Sequence, residues 1–200
     1  YPGFPRLPDP LHITVITGPF LSVPPAPCGA VERAWRDLSG EMAKQGHDVT
    51  VICRDHRDLI PGKSPDGVTI VPVRGATSTA KIAINLFKDF FYGLRVARVL
   101  RKSDVIVTNS FFLPPILKII RRGCGPLHVH VARMPKGQIK WYVKFGAERL
   151  TAVSSAVSEM IAAECKEAVP YTRVISYPIR TDVFVPPQTP RKKTDAPVLL

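Results

Sequence analysis

Cysteine is sparse. The 200-residue chain holds four, Cys28, Cys53, Cys124 and Cys165, widely scattered and with no C-x-x-C pair. That spacing argues against a zinc ribbon or a disulfide framework and fits a reducing compartment. Long apolar runs are missing too, and none reaches the length of a membrane span. Residues 1–10 are proline-rich rather than basic and then apolar, so they are read as an arm and not as a secretory signal. Acids are scarce: 16, against 28 lysines and arginines, leave a formal charge of +12. A field of that sign favours anionic partners such as nucleic acid, acidic lipid or phosphorylated substrates, without choosing among them.

Several chemistry-bearing motifs are absent as well. A dinucleotide fold wants G-x-G-x-x-G directly after its first strand. Here Gly18 is followed by Pro19 and Phe20, and the next glycine is Gly29. Asp55, just past the second strand, could imitate the ribose-binding acid, but it lacks the glycines that would accompany it. No G-x-x-x-x-G-K-[ST] phosphate loop occurs. Without G-x-S-x-G, Ser154 reads as a helix cap rather than a nucleophile. No nucleic-acid recognition motif accompanies the positive charge, so nucleic acid is not an expected partner.

Proline, in contrast, is abundant. There are 21, clustered at residues 2–10, 19–27 and 178–190. The middle cluster lies in a strand-to-helix connection far longer than the usual few residues. Its four prolines restrict the backbone, so the loop is expected to be shaped rather than loose. Around it strands and helices alternate. Strands are expected over residues 12–17, 47–53, 67–73, 104–109, 126–133, 149–154 and 173–178. Helices are expected over 30–45, 78–102 (with a possible break near Gly93), 114–122, 138–148 and 155–166. In the first helix Val31, Ala34, Trp35, Leu38 and Met42 share a face, Glu32 sits in the first turn, and Gly46 ends it. The pattern implies an α/β fold, a Rossmann-like parallel sheet flanked by helices on both faces. Ligands of such sheets bind at the carboxyl ends of the strands.

That rule selects the loops after Thr17 and Asn109 and the stretch after His130. At Cys28, Gly29 and Ala30 a helix begins on a glycine. An anion or substrate could approach its free N–H groups, or the glycine could simply let the chain turn. Asn109 and Ser110 could line a cleft or cap the next helix. Arg133, Lys136 and Lys140 form a basic stretch that could meet a phosphate or lie solvated. The segment 78–102 mixes Lys81, Lys88, Arg95, Arg98, Arg101 and Lys102 with Phe87, Phe90, Phe91 and Tyr92. It fits either attachment to an anionic membrane or, the favoured reading, aromatics in the core with a basic rim.

Four segments, in order, resemble glycosyltransferase family 4, of the GT-B fold: "CGAVERAWRDLSGEMAKQGHDVTVI", "SDVIVTNS", "LTAVSSAVSEMI" and "VISYPIRTDVFVP". The first is similar to the family's Gly-Gly, helix and "GH-x-V-x-V". The last is similar to the segment that precedes the crossing into the second domain. Departures are Cys28 for the first glycine, Tyr177-Pro178 for Asn-Gly, and Arg180 for an aspartate. Glu159 and Glu167 have the spacing of the family's E-x7-E motif in the wrong context, and are read as solvated helix charges.

The resemblance implies residues 11–185 as the acceptor-side domain of a retaining glycosyltransferase, with 186–200 a linker and the start of a nucleotide-sugar domain. It implies a nucleotide-diphosphate sugar as donor substrate, a glycan or lipid acceptor, no cofactor and no essential metal. It nominates His130, on the fifth strand, to hydrogen-bond the transferred sugar, with His128 as the lesser candidate. The expected setting is the cytoplasm, with attachment at the inner face of a membrane only on the reading in which the basic helix 78–102 binds it. The chain alone is expected to be inactive. The rival reading is a non-catalytic binding module for an anionic partner or membrane surface, and a weaker one a sugar-nucleotide epimerase.

Overall fold

The computed structural model describes residues 9–178 and residue 185. The tail 186–200, Arg180 and most of the arm 1–10 lie outside the described residues. The chain runs β1 (His12–Ile16), α1 (Ala30–Lys44), β2 (Asp48–Arg54), β3 (Gly62–Lys63), β4 (Thr69–Val73), α2 (Ile82–Val99) and β5 (Val105–Thr108). It continues through α3 (Leu113–Ile120), β6 (Leu127–Val131), α4 (Ile139–Lys144), β7 (Arg149–Ala152), α5 (Ser155–Glu164), a 3-10 turn (Lys166–Tyr171) and β8 (Thr172–Val174).

These strands form one sheet in the order β3-β4-β2-β1-β5-β6-β7-β8. Every neighbouring pair is parallel except β3 with β4. Alternation along the strands feeds a core on each face. Ile13, Val15, Val49 and Val51 face one way, with Trp35 and Met42 of α1 packed against them. Ile16, Ile52, Leu127, Val129 and Val131 face the other, against Tyr92, Val96, Leu113 and Ile161. His128 and His130 therefore alternate out of this second core. Trp35 meets the His130 ring edge-on at 5.2 Å, which puts His130 on the α1 face.

The proline-rich loop after β1 is built into the structure. Val23 and Ala26 belong to the α1-side core. Ser22 Oγ donates to the Arg54 carbonyl, and the Pro19 carbonyl accepts from Ala76 N–H. These bonds fix the first part of the loop to the ends of β2 and β4.

Some boundaries differ from expectation. The two-residue β3 and the 3-10 turn carry no apolar pattern to reveal them. Helix α2 starts at Ile82, not residue 78, because Asn85 Oδ1 accepts from Thr79 N–H and draws residues 79–81 into a turn. It runs unbroken through Gly93. A Cβ there would sit 2.6 Å from Ile116 Cδ1, so the glycine serves close packing of α3 on α2 and not a break. Helix α4 stops at Lys144, two residues before Gly146 at φ +81°. The last strand ends at Val174, not at residue 178.

The aromatics of α2 also correct the favoured reading. Only Tyr92 is in the core. Phe87 is 65% exposed, and Phe90 and Phe91 lie on the surface with it. No helix among the described residues is long and apolar enough to cross a membrane.

Gly125 tests how β5 and β6 are set side by side. It lies at φ +138°, and a Cβ there would run into the Ser103 carbonyl oxygen. Gly125→Ala is expected to lower stability by roughly 3 kcal/mol, read as a reduced urea midpoint.

Candidate functional site

Strand β1 has β2 on one side and β5 on the other. The connections leaving β1 and β5 diverge to opposite sides of the sheet, and the crevice between them is where such sheets hold ligands. A cavity of about 780 Å³ opens there. Gly18, Pro19 and Phe20 after β1, Asn109–Phe111 after β5, and His130–Arg133 at the end of β6 line it. Residues 29–32 close it from α1, Asp89 from α2, Tyr142 from α4, and Tyr177 from the segment after β8.

Of the expected site residues, Gly29, Ala30, Asn109, Ser110, His130 and Arg133 meet around this cavity. Cys28 and Lys136 do not line it. Cys28 Sγ accepts a long contact of 3.9 Å from Arg33 Nη2, and the Lys136 N–H is turned back to Gln138 Oε1 at 2.6 Å. Lys140 is exposed, also outside the lining. Glu159 is exposed on α5, while Glu167 stands in the following 3-10 turn, so the two do not share a helix.

His130 is buried and saturated with hydrogen bonds. Its Nδ1 pairs with Thr151 Oγ1 at 3.0 Å, and its Nε2 with Tyr177 Oη at 2.8 Å. Burial pushes the imidazole down to about 4. At neutral pH the ring is therefore uncharged. It can donate from one nitrogen and accept at the other, but it brings no positive charge to the cavity. His128, lower on the same strand, is half-buried and outside the lining; burial lowers it as well.

Ser110 does not offer a free hydroxyl. Its Oγ donates to the Asp89 carboxylate, 3.0 Å from each oxygen. Asp89 also accepts from Phe112 N–H at 2.9 Å. Phe112 is the N-cap position of α3 and has no side-chain cap of its own. A carboxylate on α2 thus caps α3 and pins the loop after β5. Burial raises the Asp89 pKa, opposed by these hydrogen bonds. In the same loop Asn109 Oδ1 is buried with no hydrogen-bond partner among the described residues. Ser154, by contrast, caps α5 as expected, its Oγ accepting from Val157 N–H.

The glycine at the start of α1 is not an open edge. A Cβ at Gly29 would meet Glu32 Oε2 at 2.6 Å and Leu21 Cδ1 at 2.9 Å. The chain's own side chains fill the space that the missing methyl leaves. Sequence reasoning placed Glu32 on the first turn but did not bring it to the site. Asp89 was hidden because its role arises only where α2 crosses α3. Tyr177 was visible only as a departure from a motif.

Residues 31–183 match the family model described as Glycosyltransferase Family 4. Two solved structures of Anabaena HepE are similar in fold. One is in complex with UDP-glucose (TM-score 0.54, 15% identity) and the other with UDP and glucose (TM-score 0.52, 13% identity). Each aligns with 86% of this chain, but with only 45% and 46% of the HepE chain. This chain thus spans less than half the length of those structures. Among curated proteins no match is found.

The His130 environment makes a pH prediction. Between about 4 and the ordinary value of 6.5, the unfolded chain takes up the proton and the folded chain does not. Stability is therefore expected to fall as pH falls through that window, by roughly 3 kcal/mol from this group at its lower end. Urea melts at pH 7 and pH 4.5 should show a smaller difference in His130→Gln, which does not titrate there.

Proposed function

The chain belongs to glycosyltransferase family 4, and from that membership we propose that it is the N-terminal, acceptor-side domain of a retaining glycosyltransferase. The reaction moves a sugar from a nucleotide-diphosphate sugar to an acceptor hydroxyl. The observation that carries this reading is the 780 Å³ cavity at the switch point of the sheet, which gathers residues from β1, α1, β5, β6 and the segment after β8.

The chemistry follows from the lining. A buried neutral imidazole is suited to exchange hydrogen bonds with a sugar hydroxyl as charge develops at the neighbouring bond. A hydroxyl that engages His130 Nε2 displaces Tyr177 Oη from it. Arg133 offers the planar cation suited to a phosphate. Asp89 supports the reaction at one remove, through the loop that carries Asn109 and Ser110. No step needs a metal or a cofactor. A second nucleotide-sugar-binding domain supplies the remaining wall and excludes water.

A membrane surface as an additional partner draws support from α2. Ile82 is 74% exposed and Phe87 65%, with Lys81 and Lys88 adjacent in sequence. Arg74, Lys88 and Arg95 line a groove with Phe87 and Phe91. Exposed apolar rings among cations suit an anionic interface.

Two tests follow. This chain alone, offered uridine, guanosine and adenosine diphosphate sugars, is expected to transfer negligibly; robust turnover would contradict the two-domain reading. In the two-domain protein, His130→Ala should lower kcat about 100-fold, and NMR of the product should show the donor's anomeric configuration. An inverted product would exclude the retaining course. For the membrane, flotation should carry the chain with anionic vesicles but not with neutral ones, and Phe87→Ser should weaken it. Equal behaviour toward both vesicles would remove the membrane.

A further inference from the structure

Glu32 is the third residue of α1 and is only 7% exposed. It lines the cavity, yet among the described residues no hydrogen bond or ion pair reaches its carboxylate. At this position a glutamate can turn back to the N-cap N–H and complete a capping box. The carboxylate does turn back over Gly29, but no hydrogen bond to Gly29 N–H forms. Across the crevice Asn109 Oδ1 is a buried acceptor with no donor among the described residues. Asn109 lines the same cavity. A buried acceptor left unpaired is costly. One buried acceptor without a donor, beside a carboxylate that opens into the same cavity, calls for a ligand that brings O–H or N–H groups.

Charge narrows the class. The start of a helix normally attracts phosphate. Here a carboxylate already stands over the N-cap glycine and answers the partial positive charge of α1. A phosphate entering beside it would be repelled.

Resting on the reading of this cavity as the acceptor side of sugar transfer, we infer that Glu32 and Asn109 are specificity residues that together accept hydrogen bonds from a neutral polyhydroxyl acceptor and turn away its phosphorylated counterpart. The α1 wall of the cavity is a hydroxyl site and not a phosphate cradle. Its selectivity comes from the charge of Glu32 and its hydrogen bonds from both residues.

Saturation-transfer NMR on this chain tests the assignment, with methyl glucopyranoside and glucose 6-phosphate as probes. The wild-type chain should bind the neutral glycoside and discriminate against the phosphate. Glu32→Ala and Asn109→Ala should each weaken the glycoside roughly tenfold or more, the loss expected for a hydrogen bond to a buried acceptor. Glu32→Gln, nearly isosteric and expected to fold, should narrow the difference between the two probes. Circular dichroism reports the fold of each variant. Three results would overturn the inference: no binding of the glycoside, equal binding of both probes by the wild type, or unchanged selectivity in a folded Glu32→Gln. The sugar-transfer reading fails separately, on the turnover and anomer assays, and a Glu32-dependent preference for the neutral glycoside would survive that failure.

Discussion

Strand β1 is held on both edges, by β2 and by β5, with all three running the same way. Parallel pairing forces every connection to return over a face of the sheet, and the returns on the two sides of β1 must separate. The gap they leave at the carboxyl ends is a consequence of topology before any side chain is chosen. The rest of the site depends on that gap. Register then decides which residues border it. Ile16 stands opposite Ile52 and Thr108, so the chain leaving β1 faces the chain leaving β5 at one level. His130 sits one position from the end of β6, opposite Thr151, which becomes its hydrogen-bond partner.

Topology opens the crevice, and buried polar groups stiffen its walls. Asp89 shows how. A carboxylate inside a helix–helix contact would be expensive if unpaired. It is paired three ways, by the Ser110 hydroxyl at both oxygens and by Phe112 N–H. Those bonds make α2, the loop after β5 and the start of α3 one unit. Gly93 lets α3 lie close enough on α2 for the arrangement to form. Glu164 does related work on the far side, accepting from Gly137 N–H and Ile139 N–H and so fixing the start of α4 to α5. In both cases an acid on one helix caps another, which suits a chain whose acids are few.

Much of this was legible in the residues. β-branched runs marked β1, β2, β4, β5, β6 and β7, and apolar spacing marked the helices between them. The alternation of strand and helix was enough to place Asn109, His130 and the start of α1 at one edge of the sheet. What stayed hidden is what depends on contacts remote in sequence. Asp89 looks like any polar residue of a basic helix until α3 is laid across it. Phe87, Phe90 and Phe91 looked like core by composition, but α2 turns Tyr92 inward and leaves the phenylalanines outside. Gly29 was read from its missing Cβ either as a place for a ligand to approach or as a simple turn; Glu32 and Leu21 occupy the space a Cβ would take. A glycine tells only that space is needed, not what fills it.

The distribution of charge around the cavity follows from the same facts. The chain as a whole is strongly basic, yet the α1 wall presents an acid. Tyr177 marks the division. Burial raises its hydroxyl first, Glu32 raises it further, and Arg133 opposes the shift. A group that feels both charges lies between an acidic and a basic side, and Tyr177 is also the partner of His130. In the proposed reading a donor's phosphates would be drawn toward Arg133, while an acceptor's hydroxyls would find Glu32 and Asn109. The neutral His130–Tyr177 pair stands where the two would meet. In that reading an uncharged pair matters, because a cationic imidazole would hold phosphate at the place proposed for the sugar. The burial that depresses His130 therefore serves the proposed separation of donor and acceptor as much as it serves packing.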